Sequence, residues 1–345
     1  MKKKIFYPLT ILLVLVAVLG WMLLLPATRF SGKSKYIYVA AGKDVKKQVL
    51  RQLDTANLIS HTALFSFIAN TSNVWANVKP GRFEIKSGQN LLSIIRIFQK
   101  NRQSPVILNI GRVRTKESLA RFIGKNFSTD SLSAISFFNN PDSLRKFGVD
   151  TNTLLSIIIP KTYIFKWDTK LDSILYRFKA AKDSFWAADN RMQRAANMGF
   201  SPLQVCILAS IVEEETNKDE EKGNIASVYI NRLNKNMALG ADPTIKFALK
   251  DFSLKRILYA YLSVNSPYNT YRNKGLPPGP ICTPTAKTID AVLNAPKTGY
   301  YFFVAKSDFS GYHHFSTTFA EHQQYAKEYQ GALDSVIIKK ENENP

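Results

Sequence analysis

The sequence predicts an α+β protein with an N-terminal transmembrane helix, a small βααβ unit and a helix-rich C-terminal domain with short strands. Three observations carry that reading. No charged side chain stands between Lys4 and Arg29, and an apolar run of that length, at about 1.5 Å per residue, crosses a hydrocarbon core of about 30 Å. Residues 35–99 alternate between period-two and helical apolar spacing, which mixes strands with helices in one small unit. From about residue 155 onward long helical stripes dominate, with strand-like runs only near 300–305.

The anchor comes first. Ile5 to Pro26 exceeds the about 7–15 residues of a signal-peptide core, and Pro26-Ala27-Thr28 makes a poor cleavage site, so segment 5–26 reads as uncleaved, with 1–4 as a cytoplasmic tip. Lys2, Lys3 and Lys4 nearly balance Arg29, Lys33 and Lys35, so local charge alone does not orient it. In 31–104, Tyr36 and Tyr38 mark a short strand, Val45, Val49, Leu50 and Leu53 a helix, and Ala63–Ala69 a second helix. A Lys79-Pro80-Gly81 turn then enters a strand ending at Ile85, and Leu91 to Phe98 close the unit as an apolar helix. Residues 105–154 read as a connecting region: a strand at Val106–Ile110, a helix from about Thr115, then short helical pieces. Residues 155–338 form the main domain, with helices over about 168–198, 202–216, 221–236 and 318–333, and 339–345 read as a solvated tail.

Composition narrows the function. The chain has 345 residues, 45% hydrophobic and 21% charged, which excludes wholesale disorder, collagen and a polytopic membrane protein. Its net charge of +21 favours an anionic partner: nucleic acid, anionic lipid or an acidic polymer. Nucleic acid is disfavoured, because no zinc-finger spacing, RNP-like aromatic motif or dense Lys/Arg block is present. Cys206 and Cys282 make no disulfide framework, although one bridge stays possible in an oxidising compartment; Cys206 itself falls among core positions.

The chemically informative stretch is Ser201 to Thr216. Ser201 as N-cap, Pro202 at the first helical position and Gln204 two residues on mark a helix start, and Val205, Leu208, Ala209 and Val212 supply a buried stripe. The helix ends on Glu213-Glu214-Glu215, where the negative end of the macrodipole should raise carboxyl pKa values. At about 100° per residue, Glu214 points away from the stripe and should matter little, Glu213 lies beside it, and Glu215 lies nearest the face of Leu208 and Val212. Glu215 is therefore the expected protonated, partly buried acid. Asn231-Arg232, Leu239 to Thr244, Ser266 to Tyr271 and Gly275 to Ile281 add polar groups and turn residues suited to a cleft. His313, His314 and His322 lack recognised ligand spacing and read as strand-end and helix-surface residues, so no metal or other cofactor is expected. No Gly-x-Ser-x-Gly elbow supports serine chemistry.

Together, Ala209-Ser-Ile-Val-Glu-Glu-Glu-Thr216, Ala226-Ser-Val-Tyr-Ile-Asn-Arg-Leu233, Asp242-Pro-Thr244, Ser266-Pro-Tyr-Asn-Thr-Tyr271, Gly275-Leu-Pro-Pro-Gly-Pro-Ile281, His314-Phe315 and Glu321-His322 resemble the endolytic murein transglycosylases, the YceG-like proteins, over nearly the whole chain. The resemblance implies a LysM-like identity for 31–104 and a catalytic domain at 155–338. It implies Glu215 as the single catalytic acid and base, cutting the MurNAc–GlcNAc β-1,4 bond to leave 1,6-anhydro ends, without metal or cofactor. It further implies peptidoglycan strands as substrate, cell-wall synthases as neighbours, and a single-pass protein of the cell membrane whose catalytic domain faces away from the cytoplasm. Glu213, Asn231, Asp242, Thr244, Asn269 and Tyr271 are the expected substrate contacts. One departure stands out: Lys161 occupies the acidic position of the family's Pro-Asp-Thr-Tyr turn, at Pro160 to Tyr163. The alternative reading is a non-catalytic, membrane-anchored peptidoglycan-binding scaffold whose glutamates are surface charge.

Overall fold

The computed structural model describes residues 6–343, so the expected tip at 1–4 lies outside the described residues. The chain divides into two compact units: residues through Leu108 with Gly124–Thr129 and Ile164–Lys170 form the first, and the remainder forms the second. The stretch 105–154, read as a connecting region, contributes residues to both units.

The first unit begins with α1 (Phe6–Leu24). Ile11, Leu13, Val14, Val16, Val18 and Trp21 are all exposed, so the helix offers apolar side chains in every direction. Its described apolar stretch is Thr10–Leu24, and among the described residues no single helix is long and apolar enough to cross a membrane. β1 (Ser34–Val39), α2 (Val45–Thr55), α3 (Thr62–Thr71), β2 (Gly81–Lys86) and α4 (Leu91–Gln99) follow. β1 and β2 pair antiparallel with Ile37 opposite Phe83. Their inward residues Ile37, Val39, Phe83 and Ile85 pack with Val49, Leu53, Phe65, Ile94 and Phe98 in one core, as period-two strands laid on helical stripes must. Asp44 and Asn90 cap α2 and α4 by accepting from Lys47 N and Ser93 N. The open side of β1 is satisfied from α2: Gln52 accepts from Tyr38 N at 2.9 Å and donates to Tyr38 O at 2.7 Å, and Gln48 accepts from Ala40 N at 2.8 Å. The βααβ order is the one expected.

β3 (Val106–Asn109) later pairs with β4 (Thr162–Phe165). Between them come α5 (Lys116–Asn126), α6 (Ser131–Asn139) and α7 (Pro141–Arg145). The second unit then builds α8 (Leu171–Ala187), α9 (Arg191–Asn197), α10 (Pro202–Glu215), α11 (Lys222–Asn234), α12 (Asp242–Leu249), α13 (Ala286–Leu293), β5 (Phe302–Ala305), β6 (His313–Ser316) and α14 (Phe319–Glu343). The helix expected over 168–198 is broken into two because Asp189 and Asn190 adopt left-handed φ of 54° and 53°. The expected tail is helical through Glu343.

α10 is the axis of this unit. The Ser201–Gln204 capping box is formed in both directions. Beyond the expected stripe, Cys206, Ile207 and Ile211 are buried too, because α9, α11, α12 and α13 all pack against it. Cys206 and Cys282 are buried free thiols. The Gly275–Ile281 loop runs so close to Asn152 that a Cβ on Gly279 would stand 2.1 Å from the Asn152 carbonyl oxygen. Gly279→Ala should therefore lower stability by at least about 1–3 kcal/mol, the usual penalty of overpacking, in a denaturant melt; an unchanged midpoint would show that the loop yields freely.

Candidate active site

α10 ends at Thr216, whose extended backbone (φ −143°, ψ 147°) stops the helix, and whose hydroxyl accepts from Lys218 N at 3.0 Å. The last three helical residues are three consecutive glutamates, and each enters a different environment.

Glu213 is buried, only 3% exposed. It accepts from Arg112 at 3.2 Å, from the Thr285 hydroxyl at 3.0 Å and from the Thr288 hydroxyl, with the buried Lys222 ammonium 3.6 Å away. Burial pushes its pKa up, but the Thr288 and Thr285 hydrogen bonds and the Lys222 charge outweigh it, and the carboxyl sits below its ordinary value. The rise expected from the helix end is reversed. Glu214 points away from the stripe, yet not into solvent: Arg114 holds it bidentately at 2.8 and 2.9 Å, and that hydrogen bond raises the arginine's pKa. The small role expected for Glu214 is thereby corrected to an anchoring one.

Glu215 alone turns into a cleft of about 440 Å³. It is half-buried, and burial first, then the charge of Asp242, push its pKa up to about 7, against the pull of the Tyr229 hydrogen bond, Lys246 and Arg232. Tyr229, buried on α11, donates its hydroxyl to Glu215 Oε1. One turn further, Arg232 is fixed by donating to Tyr301 O at 2.7 Å and Leu239 O at 2.6 Å, with its guanidinium 5.3 Å from the Phe302 ring. Gly240 adopts φ +58°, and a Cβ there would meet Arg232 at 3.4 Å and the Tyr271 ring at 3.6 Å. Asp242, the first residue of α12, accepts from the Tyr271 hydroxyl at 2.5 Å. Phe302, Phe303, Phe319 and His322 complete the lining. His322 stacks on Phe302 at 5.3 Å, and burial followed by Arg232 lowers its pKa.

Of the expected contacts, Asp242 and Tyr271 therefore share the cleft with Glu215, and four others do not. Glu213 is committed to its ion-pair cluster. Asn231 donates to Thr298 O and Tyr300 O, both at 2.9 Å. Thr244, fully buried, donates to Ala241 O at 2.6 Å and shares a hydrogen bond with Thr270. Asn269, also fully buried, donates to Leu262 O and Val264 O at 2.9 Å each. Thr244 and Asn269 are buried and hold turns, whereas the partly buried Asn231 ties α11 to the 298–300 segment. His322, read as a helix-surface residue, lines the cleft instead. Arg232, expected among the cleft's polar groups, does line it; Tyr229 and the phenylalanines lie outside the expected set, although the three-residue spacing of Tyr229 and Arg232 on a helix puts them on one face. Lys161 is exposed, its ammonium 5.2 Å from the Tyr163 ring.

The profile of the YceG-like family matches residues 37–328, and the chain belongs to that family. An endolytic murein transglycosylase of Streptococcus pneumoniae is 28% identical over 313 residues, 82% of this chain and 56% of that protein. One of Bacillus subtilis is 35% identical over 173 residues, 50% of this chain and 47% of that protein. The chain thus spans about half the length of the curated relatives it matches. The crystal structure of a yceG-like protein from Listeria monocytogenes is similar at TM-score 0.58 and 26% identity, covering 85% of this chain and 99% of that one.

Two outcomes follow from the geometry alone. Tyr229→Phe removes a donor to the charged form of Glu215, so the Glu215 titration, followed by carboxyl carbon NMR, should move to higher pH; a downward move would contradict the hydrogen bond. Glu213→Gln leaves Lys222 and Arg112 without their shared charge and should cost roughly 3–5 kcal/mol of unfolding free energy. The wild-type contribution of Glu213, whose carboxyl is depressed on folding, is present above about pH 4.3 and lost as pH falls through its folded value, so the gap between the two proteins should narrow on acidification.

Proposed function

We propose that this protein is a peptidoglycan lytic transglycosylase in which Glu215 is the single general acid and base. The observation that carries the reading is a half-buried carboxyl with a pKa of about 7, set in an aromatic cleft and oriented by a buried tyrosine; the names of the two relatives support the substrate class. A non-catalytic scaffold has no use for an acid kept neutral at that position.

The protonated Glu215 donates to the oxygen between N-acetylmuramic acid and N-acetylglucosamine, and the C1–O bond breaks as positive charge grows on the muramic ring. The resulting carboxylate then takes the proton of the muramic 6-hydroxyl while that oxygen bonds to C1. The proton on the acid is restored and the product is a 1,6-anhydro sugar, so no water is consumed. One carboxyl suffices because the nucleophile belongs to the substrate and its attack is intramolecular, whereas hydrolysis of the same bond ordinarily recruits two. Tyr229, donating to Oε1, leaves the other oxygen to carry the mobile proton. Asp242 and Tyr271 hold hydroxyl or N-acetyl groups at the rim, and the phenylalanines offer ring faces to the sugar.

Glu215→Gln should abolish both proton transfers and reduce cleavage of purified sacculi by about 10²–10⁴-fold or more; wild-type rates would refute the assignment. Since only the protonated form can act as acid, kcat/KM should fall as pH rises through about 7. The same raised pKa means that the proton on Glu215 favours the folded state, a contribution fully present below about pH 4.3 and lost as pH rises through about 7. Glu215→Gln should therefore melt higher than wild type at pH 8 and level with it at pH 4.

We further propose that α1 anchors the chain in the cell membrane with the folded units on the outer side, close to the cell-wall synthases. The uncharged run from Ile5 to Thr28 and the apolar side chains exposed on all sides of α1 support this. Fractionation should recover the full chain with membranes and a chain starting at Ser31 in the soluble fraction. The βααβ unit is proposed to be LysM-like and glycan-facing, on the order of its elements and their antiparallel pair.

A further inference from the structure

α12 carries a charged row that the proposed chemistry uses only in part: Asp242 stands at the rim of the cleft and the Lys246 charge acts on Glu215, while Lys250 has no part in it. Asp242, Lys246 and Lys250 stand at i, i+4 and i+8, on one stripe of the helix and its C-cap. Three concavities follow that stripe in order. Asp242 lines the cleft of Glu215, Lys246 lines a small one of about 60 Å³ beside Arg114 and Glu214, and Lys250 lines a third of about 190 Å³. The third has an apolar side formed by Phe247, Tyr268 and Leu155, the two rings 4.6 Å apart. Its polar side holds Arg114, Lys116, Glu117, Asn152 and Lys250.

The charge along this track is unbalanced. Arg114 is matched by Glu214, and Lys250 lies 3.5 Å from Glu117. Lys246 and Lys116 have no ion-pair partner among the described residues. Lys246 in the second concavity and Lys116 in the third thus leave positive charge along a track whose third cavity has an apolar wall, and an acidic ligand with small apolar groups and amides fits both features. The length of the track narrows the ligand further. Eight helical residues rise about 12 Å, and an extended peptide at about 3.3–3.6 Å per residue covers that distance in three or four residues.

We propose that this track binds the short acidic peptide carried on the lactyl group of a muramic acid whose sugar lies at Glu215, with peptide carboxylates at Lys246 and Lys116 and small side chains against Phe247 and Tyr268. The proposal rests on the glycan-cleaving reading only for the position of the sugar. It assigns to the second cavity the selection of peptide-bearing strands over bare glycan, separately from the chemistry at Glu215.

The test uses the full chain in mild detergent, carrying Glu215→Gln so that binding is read without cleavage. The probes are soluble uncrosslinked glycan strands and the same strands after an amidase has removed their peptides. Peptide-bearing strands should bind roughly tenfold more tightly, the scale of two or three exposed charge pairs. Adding Lys116→Glu and Lys246→Glu should reduce that contrast to less than about twofold, and the matched Lys116→Arg and Lys246→Arg protein should keep it. Equal binding of the two probes, or a contrast that survives charge reversal, overturns the proposal. Wild-type protein that cleaves neither probe would refute the transglycosylase reading, while the binding contrast would still decide for or against the peptide track.

Discussion

The structure depends most on the burial of one carboxyl group at the end of its central helix. A carboxylate moved out of water is costly, and at the C-terminal end of a helix it also faces the negative pole of the macrodipole. Glu215 meets this by holding its proton up to about pH 7. The surroundings keep it poised rather than permanently neutral: the Tyr229 hydroxyl and the charges of Lys246 and Arg232 favour the anion, while burial and Asp242 disfavour it. A group balanced in this way can give up a proton and take one back, which a fully exposed or fully buried glutamate does poorly.

The neighbouring glutamates show how much environment outweighs residue type. A turn of about 100° per residue sends three identical side chains in three directions. Glu213 enters a buried cluster with two hydroxyls and two cations, Glu214 meets a bidentate arginine, and Glu215 meets a tyrosine and open space. The first two tie Arg112, Arg114, Thr285 and Thr288 to the end of α10, and so fix the direction in which the third can point. Rigid surroundings of this kind hold a reactive group within a fraction of an ångström of its working position.

The fold was legible where local rules act strongly. The βααβ order, the capped start of α10 and the apolar stripes of α2 and α4 all follow from periodicity and capping residues near in sequence. The start of α12 falls in a stretch read for its turn residues because Pro243 looks like a turn, although a proline in the first turn also begins a helix. At the candidate site, the raised pKa and partial burial of Glu215 were legible from its angular position on α10. Tyr229 and His322 were not, because their relation to Glu215 is made by the packing of α11 and α14, which spacing along one helix does not encode. The same limit applies to Asn231, Thr244 and Asn269: polar residues in such motifs can serve substrate or backbone, and the hydrogen bonds these three donate at 2.6–2.9 Å go to backbone carbonyls.

Among active-site arrangements for cutting a glycan, the central claim is that one carboxyl does the work of two because the substrate supplies the nucleophile. The ends released from purified sacculi by the full chain, resolved by mass spectrometry, test that most directly. The expected products are 1,6-anhydromuramic ends with no incorporation of oxygen-18 from labelled water. Reducing ends carrying the label would contradict it, and would require water as nucleophile and a second catalytic carboxylate.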